Sequence, residues 1–125
     1  MDHPILRGCS ILVVEDEPII AMDITTALER AGAHATTTNT VRHALILAEH
    51  DGLAAAVMDH ALSDGDSTQL CARLNDRGIP YLSYSGYGPA EGASENSVFI
   101  SKPVTMDVLM SALEGLLVGK PPRVS

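Results

Sequence analysis

Ser10-Ile11-Leu12-Val13-Val14-Glu15-Asp16-Glu17-Pro18 is the stretch on which the fold turns. Ile11 to Val14 are apolar in succession, which suits a short central strand covered on both faces. The chain then becomes acidic at once. Pro18 stands where a helix tolerates proline, at its first position, and acids are favoured near the positive end of the helix dipole. Ile19, Ile20, Met22, Ile24, Ala27, Leu28 and Ala31 follow at helical spacing, and Gly32 supplies the stop.

The same alternation continues downstream. His34 to Thr38 is Thr-rich and reads as a second strand. Asn39 or Thr40 is placed to cap a helix through Val41, Ala44, Leu45, Leu47 and Ala48, and Asp51-Gly52 is a turn. Leu53 to Met58 is a third apolar strand that ends on Asp59. Asp64 to Ser67 is loop, with Ser67 the expected cap of a helix through Leu70, Leu74 and Arg77 that Gly78 closes. Tyr81–Tyr84 and Val98–Ile100 are the fourth and fifth strands, and Met106 to Leu117 is a last amphipathic helix preceded by Thr105 or Ser101. Met1 to Gly8 reads as a short polar lead-in. The Gly-Lys-Pro-Pro-Arg tail from Gly119 cannot continue a helix. Strands alternating with helices predict one α/β domain over residues 1–125, with its core at about 10–117. The expected architecture is a doubly wound, five-stranded parallel sheet with helices on both faces.

Composition narrows the function. The chain has 125 residues with no Trp, one Phe and three Tyr, so its core must be aliphatic. A net charge of −8 without a Lys/Arg cluster argues against direct nucleic-acid binding, which needs a basic footprint. Cys9 and Cys71 form no CxxC pair and have no zinc spacing, so they read as reduced thiols. No signal peptide and no bilayer-length apolar run is visible, and the expected location is the cytoplasm.

Chemistry concentrates at strand ends: Glu15-Asp16 after the first, Asp59 after the third, Ser85 after the fourth and Lys102 after the fifth. In a doubly wound sheet these converge on the carboxyl edge, where such folds keep their sites. Three carboxylates in one pocket repel each other, and a hard divalent cation resolves that conflict. Mg²⁺ accepts one or two carboxylates and keeps its waters. With a lysine ammonium on the far side, the site is suited to a phosphoryl group. Positioning and charge neutralisation do most of the work of phosphoryl transfer, and an Asp carboxylate can be its nucleophile.

Val13-Val14-Glu15-Asp16-Glu17-Pro18, Ala56-Val57-Met58-Asp59, Pro80 with Ser85-Gly86, and Phe99-Ile100-Ser101-Lys102-Pro103, taken in order, resemble the motifs of response-regulator receiver domains. The resemblance spans roughly Ser10 to Leu117. It implies a flavodoxin-like sheet of order 2-1-3-4-5 and phosphorylation of Asp59 by a histidine kinase or histidine phosphotransfer protein. It implies Mg²⁺ held by Asp16, Asp59, the Ala61 carbonyl and, with or without water, Glu15. It places Ser85 and Lys102 on the phosphoryl group, makes Ser85 and Phe99 the switching pair, and gives a cis peptide before Pro103. Phe99 lacks a hydroxyl and would switch by packing alone.

Gly78 to Gly88 is similar to the segment of the "FATGUY" subgroup of single-domain receivers, with Ser83, Tyr84 and Ser85 in place of Phe, Ala and Thr. Gly86, Gly88, Pro89 and Gly92 oppose helix, so the fourth helix is expected to be short or absent. The expected activity is confined to the protein's own phosphorylation and dephosphorylation. Output would pass through protein contacts, with no membrane partner and with a homodimer left open. A receiver-like interaction module that does not cycle phosphate is the alternative. An aspartate-nucleophile phosphatase would want an acid where Ala61 stands. A flavin or dinucleotide site would want a glycine-rich loop where Glu15-Asp16-Glu17 stands.

Overall fold

The computed structural model describes residues 4–59, 61–62, 65–66, 68–85, 97–101 and 105–119, with only the backbone given at 61, 62, 65, 66, 84, 85, 97–101, 118 and 119. In chain order the main elements are β1 (Ser10–Val14), α1 (Pro18–Arg30), β2 (His34–Thr38), α2 (Val41–Leu47) and β3 (Leu53–Asp59). After them come a ribbon of β4 (Ala61–Leu62) and β5 (Gly65–Asp66), then α3 (Thr68–Asp76), β6 (Tyr81–Ser85), β7 (Ser97–Ser101) and α4 (Met106–Gly119).

Five strands form one parallel sheet of order β2-β1-β3-β6-β7. This is the expected 2-1-3-4-5 order, counted over the sheet strands alone. The antiparallel ribbon of β4 and β5 is an addition the sequence did not announce. The fourth helix expected to be short or absent would fall in residues 86–96, which lie outside the described residues.

The apolar runs behave as fully covered strands do. Ile11, Val13, Ala55, Val57 and Leu82 enter a core with Ile24 and Leu28 of α1 and Leu109, Met110 and Leu113 of α4. Their neighbours Leu12, Val14, Ala56, Met58 and Tyr81 enter a second core with Val41 and Ala44 of α2 and Leu70, Cys71 and Leu74 of α3. Successive residues of one strand thus serve opposite layers. Each fully buried Leu contributes roughly 1.5–3 kcal/mol. Cys71 is buried, Cys9 is half-buried, and both are free thiols.

The polar lead-in needs a correction. Pro4–Leu6 form a turn of 3-10 helix, and Leu6 is fully buried in the α1/α4 core. The Ile5 N–H donates to Glu114 Oε2 at 3.0 Å, and the Gly8 N–H donates to the Gly32 carbonyl at 2.8 Å. The core therefore begins before residue 10.

Thr40 caps α2: its backbone is extended and its hydroxyl accepts the His43 N–H at 3.2 Å. Removing such a cap costs about 0.5–2 kcal/mol. Thr40→Ala is expected to lower the urea-unfolding free energy within that range, and an unchanged midpoint would contradict the cap.

On the outer face, Arg73 Nη2 donates to Glu49 Oε1 at 2.7 Å, tying α3 to the end of α2. That hydrogen bond holds the Glu49 carboxyl below its ordinary value, slight desolvation working the other way. A depressed carboxylate stabilises the fold above its unfolded pKa, and the benefit disappears as pH falls through the folded one. The position is fully exposed, so the effect is small. Glu49→Gln is expected to be slightly less stable than wild type at neutral pH, with the gap in urea midpoint closing on acidification. A gap that persists at acid pH would contradict the pairing.

Candidate metal and phosphoryl site

The site follows from strand register. Val14 pairs with Met58, so the next residues, Glu15 just past β1 and Asp59 at the end of β3, stand side by side at the carboxyl edge of the sheet. β1 and β3 are neighbours although β2 intervenes in the chain, which makes this the point where strand order reverses and ligands gather. Asp16 follows on the turn into α1.

Glu15, Asp16 and Asp59 each bring a carboxylate oxygen within 4.8 Å of the others. Oxygens on opposite sides of an octahedral Mg²⁺ lie about 4.2 Å apart, so the span fits one such cation with little adjustment. Glu15 is 2% exposed and Asp59 7%, while Asp16 is half-buried and opens to solvent. An all-oxygen, all-acidic set of this kind matches a hard divalent cation and no soft one.

Local backbone holds the set in place. The Glu17 N–H donates to Glu15 Oε2 at 2.9 Å, and the Glu15 N–H donates to the Thr38 carbonyl at 3.0 Å. Glu17 is the residue before α1 and makes no side-chain cap of its own; Pro18 opens the helix. A cleft of about 340 Å³ adjoins the carboxylates on the β2 side, lined in part by Glu15, Asp16, Thr38, Asn39 and His43. Those last three residues, from the β2–α2 junction, were not among the site residues expected from sequence. Their only signal was polarity at the end of a strand.

The remaining expected residues divide in two. Tyr84 pairs with Asp59, so Ser85 lies one residue further along β6, beside the acidic set, and Ser85 pairs with Ser101. Phe99 pairs with Ser83 in the interior of the same ladder, and Ala61 opens β4 two residues beyond Asp59. For Ser85, Phe99 and Ala61 the backbone alone is described. Lys102, Pro103 and the peptide between them lie outside the described residues. So does His60. No helix among the described residues is long and apolar enough to cross a membrane.

The family model described as the response regulator receiver domain matches residues 11–114. The transcriptional regulatory protein TcrA of Mycobacterium tuberculosis is 30% identical over 120 residues, covering 89% of this chain and 47% of TcrA. The chain thus spans about half the length of the curated relatives it matches. Among solved structures, SdrG from Sphingomonas melonis Fr1 is 36% identical with a TM-score of 0.75, covering 89% of this chain and 98% of SdrG. The receiver domain of the sensor histidine kinase PA1611 from Pseudomonas aeruginosa, with a magnesium ion coordinated in its active-site cleft, superposes with a TM-score of 0.75. It is 23% identical, with 90% of this chain and 98% of that one covered.

Proposed function

The chain belongs to the response regulator receiver domain family, and from that premise we propose that it is a Mg²⁺-dependent phosphoryl switch whose acceptor is Asp59. The observation that carries the proposal is the convergence of Glu15, Asp16 and Asp59 within 4.8 Å at the strand-order reversal.

Asp16 and Asp59, with Glu15 behind them and the Ala61 carbonyl beside them, are the groups that would hold Mg²⁺. The cation, when bound, supplies positive charge for the oxygens of the transferring phosphoryl group. The Asp59 carboxylate attacks phosphorus as the phosphorus–nitrogen bond of a donor phosphohistidine breaks. The imidazole leaves with the bonding electrons and takes up a proton, and Asp59 becomes an acyl phosphate. Asp59 is buried, which restricts the nucleophile, while Asp16 is the more exposed carboxylate of the set. Ser85 is assigned to donate a hydroxyl proton to a phosphoryl oxygen, and Lys102, directly after Ser101, to neutralise another.

Ser85 moving toward the phosphoryl group would vacate room that Phe99 fills, a two-state change driven by a local charge event. The proposed donors are a histidine kinase or a histidine phosphotransfer protein, and the proposed output is a change in protein contacts made in the cytoplasm. The only reaction assigned to the chain is its own phosphorylation and dephosphorylation.

Intact-protein mass after incubation with phosphorylated histidine kinases, with and without Mg²⁺, tests this. One phosphoryl group gained only with Mg²⁺ is the expected result. Failure across a panel of kinases would favour an interaction module that does not cycle phosphate.

A further inference from the structure

The carboxylate set has a support that lies on neither of its own strands. β2 is an edge strand, paired among the described strands with β1 alone. Along it His34, Thr36 and Thr37 are exposed, Ala35 is half-buried, and Thr38 alone is buried. An edge strand so weakly covered should fray, since little apolar area holds it down. Its final residue nevertheless makes the bond that matters to the site: the Thr38 carbonyl accepts the Glu15 N–H at 3.0 Å, one rung beyond the Val14–Thr38 register pair.

Thr38 is in turn fixed from the far side. Its hydroxyl lies 3.1 Å from His43 Nδ1 and accepts a long bond from the Thr40 N–H at 3.5 Å. His43 stands in the first turn of α2, where its own N–H is held by the Thr40 hydroxyl at 3.2 Å. A continuous hydrogen-bonded path therefore runs from the start of α2, through His43 and Thr38, to the backbone of Glu15. The Thr38 hydroxyl both donates and accepts, so either neutral tautomer of the His43 ring completes this bond.

We propose that Thr38 and His43 are positioning residues for the divalent cation: their side-chain hydrogen bond latches the carboxyl end of β2 and so fixes Glu15. The inference rests on the cation reading above. Groups that orient metal ligands without touching the metal typically change affinity by about 10–100-fold when lost. Acting one step further out, this latch is expected to be worth about 3–10-fold in Mg²⁺ affinity.

The variants are His43→Leu, His43→Asn and Thr38→Val. His43 is exposed, so its replacement leaves both cores intact, and Thr38→Val keeps the buried shape while removing the hydroxyl. Two quantities are read on each full-length protein: Mg²⁺ dissociation constant by calorimetry, and hydrogen exchange at the Glu15 amide with Leu12 and Val57, in the β1–β3 ladder, as internal references. His43→Leu and Thr38→Val are expected to weaken Mg²⁺ binding about 3–10-fold and to speed exchange at Glu15 while the reference amides stay protected. His43→Asn, which restores a polar atom near the Nδ1 position, is expected to recover both. A general loss of stability would move all three amides together and would overturn the latch.

Unchanged Glu15 exchange in His43→Leu and Thr38→Val would also overturn it, whatever the affinities. If wild type itself fails to bind Mg²⁺, that counts against the cation reading. The exchange measurement needs no cation and still decides the latch.

Discussion

Asp59→Asn is expected to abolish phosphoryl uptake, with a loss of at least about a hundredfold in the rate at which the intact protein gains one phosphoryl group. The amide is close in size to the carboxylate but cannot supply the attacking oxygen. Glu15 and Asp16 do not take over. Glu15 is buried with one oxygen held by the Glu17 N–H, and Asp16 sits on the turn into α1 beyond the end of β1. Because Asp59 is buried against its acidic neighbours, exchange for a neutral side chain removes like-charge repulsion and should leave the fold intact. Retention of wild-type uptake in this variant would move the acceptor elsewhere.

The second large effect concerns the metal. Asp16→Asn is expected to weaken Mg²⁺ binding about 10–100-fold, since a hard cation held by few protein oxygens depends strongly on ligand charge. The linkage between binding and folding gives an independent readout. At free Mg²⁺ ten times its dissociation constant, wild type gains about 1.4 kcal/mol of stability, and the variant at the same concentration gains about 0.4 kcal/mol or less. In metal-free buffer the variant is expected to be no less stable than wild type, because the substitution dilutes a cluster of negative charge. Urea unfolding with and without Mg²⁺ measures both. An equal Mg²⁺-induced gain in the two proteins would contradict the assignment of Asp16 as a ligand.

These effects were legible in the sequence to different degrees. Val13-Val14 followed by Glu15-Asp16, and Val57-Met58 followed by Asp59, are legible as a pair: acids before one helix suit its dipole, but two apolar strands that both end on acids point to a shared site. The register of parallel neighbours then brings the ends together. Sheet order needed the family resemblance, since alternation of strand and helix is compatible with more than one winding.

Leu6 was not legible: the apolar pair Ile5-Leu6 is too short to carry a period, and only packing against α1 and α4 buries Leu6. Thr38 and His43 escaped for a related reason. The Thr-rich edge strand has no apolar alternation to show which face of β2 turns inward, so nothing singled out Thr38 as its buried member. The ribbon of β4 and β5 is only two residues deep on each side, below the length at which a strand pattern can be read. The expectations for Lys102 and Pro103 fall outside the described residues; that for Lys102 rests on its place after the fifth strand and on the resemblance, that for Pro103 on the resemblance alone.

The most direct measurement is the location of the phosphoryl group itself. Protein loaded by a phosphorylated histidine kinase in Mg²⁺ is reduced with borohydride, which converts an aspartyl phosphate to homoserine, and is then mapped by peptide mass spectrometry. The account predicts homoserine at position 59, absent when Mg²⁺ is withheld. A phosphoryl group found on a serine or histidine, or a reduced carboxylate at position 15 or 16, would contradict it.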